Sequence, residues 1–182
     1  MTSRSAAACL GGVALTLFAC EDPGPKSTLI YLAPQGSERV LADAARFHGG
    51  VPVHVDGRAW GEDEDALSRR AAQWIAAAVN RPDWRFQPAG RAPRGDDGAR
   101  IILSIDPKTG FSGVSLCQGR RLTEDGAPDP MTLRLVICDD NRRSAEALLT
   151  LPRPAQADAP ALRDLVKQAA RAAVARRTER GR

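Results

Sequence analysis

Residues 100–106 read RIILSID and residues 131–138 read MTLRLVIC, and these two segments decide the fold. The first is a dense apolar run in which β-branched side chains dominate. In the second, apolar residues occupy every odd position from Met131 to Ile137, which is the two-residue period of a half-buried strand. We therefore expect both segments at the centre of a β-sheet, with helices packed on one face.

The composition fits one globular domain. The chain has 182 residues, 43% of them apolar, which is enough to form a sizeable core. Its 26 basic and 22 acidic residues are too evenly balanced to indicate binding to nucleic acid, which needs a clustered basic surface. The only basic cluster, at the C-terminus, suits the negative end of a helix. It consists of Arg171, Arg176, Arg177, Arg180 and Arg182.

The N-terminus has the features of an export signal. Arg4 precedes an apolar stretch, residues 6–18, that is too short to span a membrane by itself. The residues that follow, Leu17-Phe18-Ala19-Cys20, resemble the lipobox of bacterial lipoproteins. A signal anchor and a soluble secreted form are the alternative interpretations.

The lipobox resemblance implies three things about this chain. Cleavage would occur before Cys20, Cys20 would be acylated with fatty acids such as palmitate, and the lipid would attach the chain to a membrane leaflet. Residues 1–19 would then be the signal peptide, residues 20–27 a polar tether, and residues 28–182 a single periplasmic domain. Glu21 does not decide between the inner and the outer membrane.

The remaining patterns predict an α+β fold with a small antiparallel sheet of about three to five strands and two packed helices, ordered β-α-β-β-β-α. Apolar residues recur at helical spacing between residues 63 and 79 and again from 160 to 177. A short helix from Ser37 is also possible. The polar segments 87–99 and 118–130 are predicted to be loops. Strands are expected near 28–33, 51–55, 100–106, 131–138 and 145–151, with a further short one possible at 84–86.

Cys9 would leave with the leader and Cys20 would carry the lipid, so Cys117 and Cys138 remain, and in an oxidising compartment they should form a disulfide. A simple hairpin of 112–117 with 131–138 would leave the cysteines roughly 20 Å apart, beyond disulfide reach. We therefore expect 131–138 to pair antiparallel with 100–106, so that 107–130 becomes an excursion fixed by Cys117. A zinc site or a catalytic cysteine would need ligands or a partner histidine that the sequence does not supply.

No catalytic motif is present, and no catalytic residue, metal site or cofactor is predicted. There is no Gly-x-Ser-x-Gly elbow and no P-loop. His48 and His54 are more typical of surface or half-buried histidines than of a metal site. The acidic run 62–65 is better explained as a helix start than as a metal site.

The leading hypothesis is a lipid-anchored, periplasm-facing and non-enzymatic module of the cell envelope. It would contact a membrane through the lipid on Cys20 and an unidentified envelope protein through the excursion, and it would bind no nucleic acid. One alternative is a periplasmic hydrolase that uses carboxylates at strand ends, namely Asp56, Asp106, Asp139 and Asp140. The other is a binder of anionic polymers or lipid headgroups that uses the arginines.

Overall fold

The structure, a computed structural model, describes residues 25–33, 36–47, 49–91, 98–120 and 128–174. These residues form six strands and four helices. The strands are β1 (Lys26–Leu32), β2 (Val51–Asp56), β3 (Phe86–Arg91), β4 (Arg100–Ile105), β5 (Met131–Asp139) and β6 (Arg142–Leu151). The helices are α1 (Glu38–Phe47), α2 (Glu64–Val79), α3 (Gly113–Cys117) and α4 (Pro160–Val174).

All six strands belong to one mixed sheet in the order β1-β6-β5-β4-β2-β3. β4, β5, β6 and β1 pair antiparallel in succession, whereas β2 pairs parallel with both β3 and β4. Helix α2 connects β2 to β3, because parallel neighbours need a crossover connection. As the sequence predicted, β5 pairs antiparallel with β4, and Arg100 lies opposite Cys138.

The main core lies between one face of the sheet and the helices α1, α2 and α4. Odd-numbered residues of β4 and β5, such as Leu103 and Leu135, point into it and are almost fully buried. The polar sequence before α2 acts as a helix start, since the Asp63 carboxylate accepts a hydrogen bond from the Ala66 N–H at 2.7 Å. Asn80 ends the helix in the left-handed conformation.

The predicted small antiparallel sheet of three to five strands with two helices is wrong. The architecture is α+β, but its described residues form six strands with mixed pairing and four helices. The parallel part went unpredicted because β2 carries the short alternating pattern of an antiparallel strand although it lies between two neighbours. Burial on both sheet faces, which includes His54 and Asp56, is not visible in such a pattern.

Two segments for which the sequence predicted neither a strand nor a helix are regular. Residues 87–91 belong to strand β3, whose Pro88 and Gly90 are typical of loops but are tolerated at the edge of a sheet. The segment after Gly110 contains the short helix α3, which begins after Ser112. Both segments depend on tertiary contacts that local propensity does not report.

Candidate functional site

The part of the excursion that contains α3 lies on the face of the sheet opposite the main core. Its helix α3 begins at Gly113, where the Ser112 hydroxyl accepts a hydrogen bond from the Ser115 N–H at 3.4 Å. Phe111 and Leu116 belong to a small second cluster of buried side chains, together with Ile102 of β4 and Val136 of β5. This apolar contact is much smaller than the main core, so other interactions must hold α3 in place.

The first of these interactions is a disulfide between Cys117, at the end of α3, and Cys138, near the end of β5. The Cα atoms are 5.5 Å apart and both residues are fully buried. Their sequence separation of 21 residues closes a loop whose cross-linking contributes about 3 kcal/mol in the loop-entropy description.

The second interaction is a buried ion cluster centred on Glu146 of β6, which is 0% exposed. One carboxylate oxygen accepts a hydrogen bond from the Gly113 N–H at 3.2 Å and also pairs with Arg134 of β5. The other oxygen pairs with Arg143. A buried carboxylate is tolerated only when its charge is compensated in this way. Burial, together with the nearby positive charge of Arg143, lowers the pKa of the Arg134 guanidinium.

Glycine at position 113 is required by the same cluster. A Cβ atom there would lie 2.7 Å from Glu146 Oε2 and 2.8 Å from its Cδ. Such distances do not occur in real structures, and the carboxylate cannot withdraw, because two arginines and a backbone N–H hold it. The first residue of α3 therefore approaches β6 as closely as the backbone allows.

The third interaction comes from Arg100, the first residue of β4, which is fully buried. Its guanidinium donates to the carbonyl oxygen of Cys117 at 2.7 Å and to that of Gly98 at 2.9 Å. A helix leaves its last carbonyl groups without partners, and Arg100 satisfies one of them at the end of α3. Helix α3 is thus fixed at its start by Glu146 and at its end by Arg100 and the disulfide.

An open cleft of about 970 Å³ lies beside α3. Its walls come from α1, from the turn between β5 and β6, and from α3. Tyr31 lies in this cleft under the Arg143 guanidinium, whose central carbon is 4.1 Å from the ring centroid. The side chain of Phe47 is 70% exposed at the rim. The lining carries both charges: Arg39, Asp43, Asp139, Asp140, Arg142 and Arg143.

The strand-end carboxylates do not form one constellation. Asp56 and Asp106 lie at the same end of the sheet, because β2 and β4 are parallel. Asp139 and Asp140 lie at the opposite end, in the cleft, because β5 runs the other way. Asp106 accepts a hydrogen bond from the Thr132 N–H at 3.0 Å and forms an ion pair with Arg153, so its carboxylate connects the start of β5 to the segment after β6.

The other residues considered from the sequence have structural partners or lie outside the described ranges. The ring of His54 is buried, and its Nδ1 lies 3.2 Å from the carbonyl oxygen of Arg91. The Glu62 carboxylate accepts hydrogen bonds from Arg70 Nε at 3.1 Å and from Arg70 Nη2 at 2.8 Å. Cys20 and His48 lie outside the described residues, as do all the C-terminal arginines except Arg171, which contacts the Ala78 carbonyl oxygen at 3.3 Å.

Sequence reasoning missed the ion cluster. A signal was present, because Arg134 and Glu146 are charged residues that each lie between two apolar neighbours within a strand. Those positions face away from the helices, and they were therefore taken to be solvent-exposed. This face of the sheet is buried here because α3 of the excursion lies over it.

Within residues 25–174, apart from the four gaps, no group of three or more His, Cys, Asp or Glu side chains could hold a metal ion. In the same residues, no helix has both the length and the apolar composition needed to cross a membrane.

Comparisons with known proteins reveal no family. No family model matches the chain, and no curated protein matches it significantly. Among solved structures, a variant of the PelC dodecamer from Paraburkholderia phytofirmans is 12% identical, with 84% of this chain and 98% of that chain covered at a TM-score of 0.40. A second PelC dodecamer structure from that organism is 16% identical, with 84% and 97% covered at 0.38. Because both TM-scores lie below 0.5, this similarity indicates neither a family nor a function.

Proposed function

We propose that this chain is a lipid-anchored, periplasm-facing protein that binds an envelope partner, without catalysis, through the excursion and the cleft beside it. The observation that carries the proposal is the fixation of the short helix α3. The disulfide, the Glu146 cluster and Arg100 together hold a helix that buries little apolar surface. A binding surface that is ordered before contact loses less conformational entropy when a partner docks.

The proposed anchor is supported by the chain's geometry and its cysteines. The first strand begins at Lys26, six residues after Cys20, so a fully extended tether spans at most about 20 Å. A lipid on Cys20 would therefore keep the domain close to the membrane surface, of either the inner or the outer membrane. A buried disulfide suits an exported protein, because such bonds persist in oxidising compartments.

The cleft is better suited to binding than to catalysis. Its charged groups are of both signs and border two aromatic side chains, Tyr31 and Phe47. Aromatic residues and arginines are enriched where proteins bind other proteins. The hydrolase alternative is left with Asp139 and Asp140, which line the cleft beside arginines of opposite charge. Asp56 and Asp106 lie at the other end of the sheet, and Asp106 is engaged by Arg153.

The anchor is tested by the intact mass of the protein from the membrane fraction of a lipoprotein-processing host. We expect a chain that begins at Cys20 and carries acyl groups, with two thiols that can be alkylated only after reduction. A chain that retains its leader, or that begins elsewhere without lipid, would refute the anchor. Free Cys117 and Cys138 would remove the fixed surface on which partner binding is proposed.

Partner binding is tested by a photo-crosslinking amino acid placed singly at Phe47 and at Asp140, on the cleft rim, in living cells. The matched control position is Ala89, which is exposed on β3 at the far edge of the sheet. We expect one envelope protein to crosslink at both rim positions and not at Ala89. The crosslink should weaken in the Cys117→Ser/Cys138→Ser double variant. Equal crosslinking from all three positions would contradict a specific surface.

A further inference from the structure

The strand β1 forms one edge of the sheet, and nothing in the described part of the chain pairs with its outer side. Two of the large apolar side chains exposed on this protein are neighbours on it, Leu29 at 41% and Ile30 at 49% exposure. A β-bulge at Ile30 shifts the register between β1 and β6, so Ile30 lies opposite no residue of β6. The strand has a single charge, at Lys26, and no proline. An exposed apolar edge of this kind is a template for pairing with another strand.

The opposite edge of the sheet is protected. Strand β3 contains Pro88, which has no backbone N–H. The N–H groups of Ala89 and Gly90 both donate to the hydroxyl of Ser68 on α2, each at 3.0 Å. The chain thus blocks one edge with proline and a helix contact, whereas β1 has neither and interrupts its edge only by the β-bulge at Ile30 and the charge of Lys26. This asymmetry indicates that β1 has a partner.

The sequence of β1 fits a second copy of itself. Leu29 is the central residue of the strand Lys26–Leu32, so antiparallel pairing about Leu29 places the two leucines opposite each other. Thr28 then lies opposite Ile30 of the second copy, and contacts between β-branched side chains on neighbouring strands stabilise a sheet. Lys26 lies opposite Leu32, which keeps the two positive charges at opposite ends. Parallel pairing would instead place lysine opposite lysine.

A lipid bilayer fits this edge less well. Backbone N–H and C=O groups without partners are costly in hydrocarbon, whereas an added strand satisfies them. We therefore propose that β1 pairs antiparallel with β1 of a second copy of this chain, which joins two sheets across a two-fold axis at Leu29.

The pairing should be weak in dilute solution, since two seven-residue strands bury less surface than the roughly 1,200 Å² of a standard interface. The proposed anchor would raise the local concentration by confining copies to one membrane surface, and to that extent the inference rests on the proposed function. The two N-termini would lie roughly 20 Å apart along the paired strands. Tethers of up to about 20 Å allow both lipids to enter the same membrane.

The test is cysteine crosslinking of the full chain in membranes of a lipoprotein-processing host, oxidised with copper–phenanthroline. Leu29→Cys places two thiols opposite each other across the axis. Ser27→Cys would leave the Cα atoms about 13 Å apart, beyond disulfide reach. Ala89→Cys, at an exposed position on β3 at the opposite edge of the sheet, measures random collisions. We expect a disulfide-linked dimer from Leu29→Cys about tenfold above either control, because pairing raises the effective concentration of the thiols.

A second pair of variants covers the case in which the cysteine disturbs β1. Ile30→Lys in the Leu29→Cys background should abolish the crosslink, whereas Ala89→Lys on the blocked edge should leave it unchanged. The proposal is overturned if Leu29→Cys crosslinks no more than Ala89→Cys, if Ser27→Cys crosslinks equally well, or if Ile30→Lys has no effect. The intact mass separates the two proposals: acylated chains without crosslinks refute the pairing alone, and crosslinked chains without lipid refute the anchor alone.

Discussion

Replacing Glu146 with glutamine should destabilise this protein by about 3 kcal/mol, although the two side chains have nearly the same size. Glutamine still offers the Gly113 N–H an acceptor, but it leaves Arg134 and Arg143 without their shared negative charge. Removing one partner of a buried ion pair costs about 3–5 kcal/mol. The side chains of the arginines are 16% and 22% exposed, so some hydration remains and the low end of this range applies.

The assay is urea denaturation of the oxidised protein, followed by far-UV circular dichroism. The free energy of unfolding should fall at an unchanged slope, and the melting temperature should fall by about 6–12 °C for a domain of this size. The matched control is Glu62→Gln, which removes a carboxylate from an ion pair with Arg70. Because those two side chains are 25% and 39% exposed, about 0.5 kcal/mol is expected. If Glu146→Gln costs no more than Glu62→Gln, the carboxylate does not hold the excursion.

Three further predictions concern the same fold. Cys117→Ser/Cys138→Ser should lower the free energy of unfolding by about 3 kcal/mol, and treatment with reductant should leave the double variant unchanged while it destabilises the wild type. Gly113→Ala should lower the free energy of unfolding by about 1–3 kcal/mol, because its Cβ would overlap the Glu146 carboxylate. This loss should largely vanish in a Glu146→Ala background. If the two substitutions instead have additive effects in a double-mutant cycle, the overlap is contradicted. Asp63→Ala should lower the free energy of unfolding by about 1 kcal/mol, because it removes the N-terminal cap of α2. Thermal unfolding measures this loss, and Arg69→Ala on the exposed face of α2 is the control that should change stability little. Equal effects of the two substitutions would contradict the capping role.

The sequence predicts those parts of the fold that each leave a repeating local signal. The strands β4 and β5, their antiparallel pairing and the helix α2 follow from apolar periodicity and from the reach of a disulfide. Strand β3 does not, because Pro88 and Gly90 resemble a loop until the edge position and the contact of Ser68 with the backbone are known. The parallel pairing of β2 is equally hidden, since alternation records which faces are buried and not which direction the neighbours run.

The candidate site is harder to read from sequence than the fold is, because it depends on what covers the second face of the sheet. Arg134 and Glu146 lie on different strands, and Val136 rather than Arg134 is the register partner of Glu146. Their pairing is therefore diagonal, and it becomes a buried cluster only when Gly113 of the excursion closes over it. A charged residue between apolar neighbours in a strand is the sequence feature that indicates such a cluster, but the same feature is typical of an ordinary strand position that faces solvent.

The two faces of the sheet stabilise this protein by different means. The helix-covered face buries a large apolar core, which is independent of redox conditions. The second face buries only a small apolar cluster, so α3 depends on the disulfide and on charge compensation. Reduction should then loosen α3 while the main core remains folded, because the loss removes a local constraint and leaves the helix layer intact. The proposed binding surface would thus become fully ordered only after the chain reaches an oxidising compartment. Hydrogen exchange on the reduced protein checks this: protection should fall at residues 113–118 and persist in α2, and uniform loss across both would show that the two faces unfold as one unit.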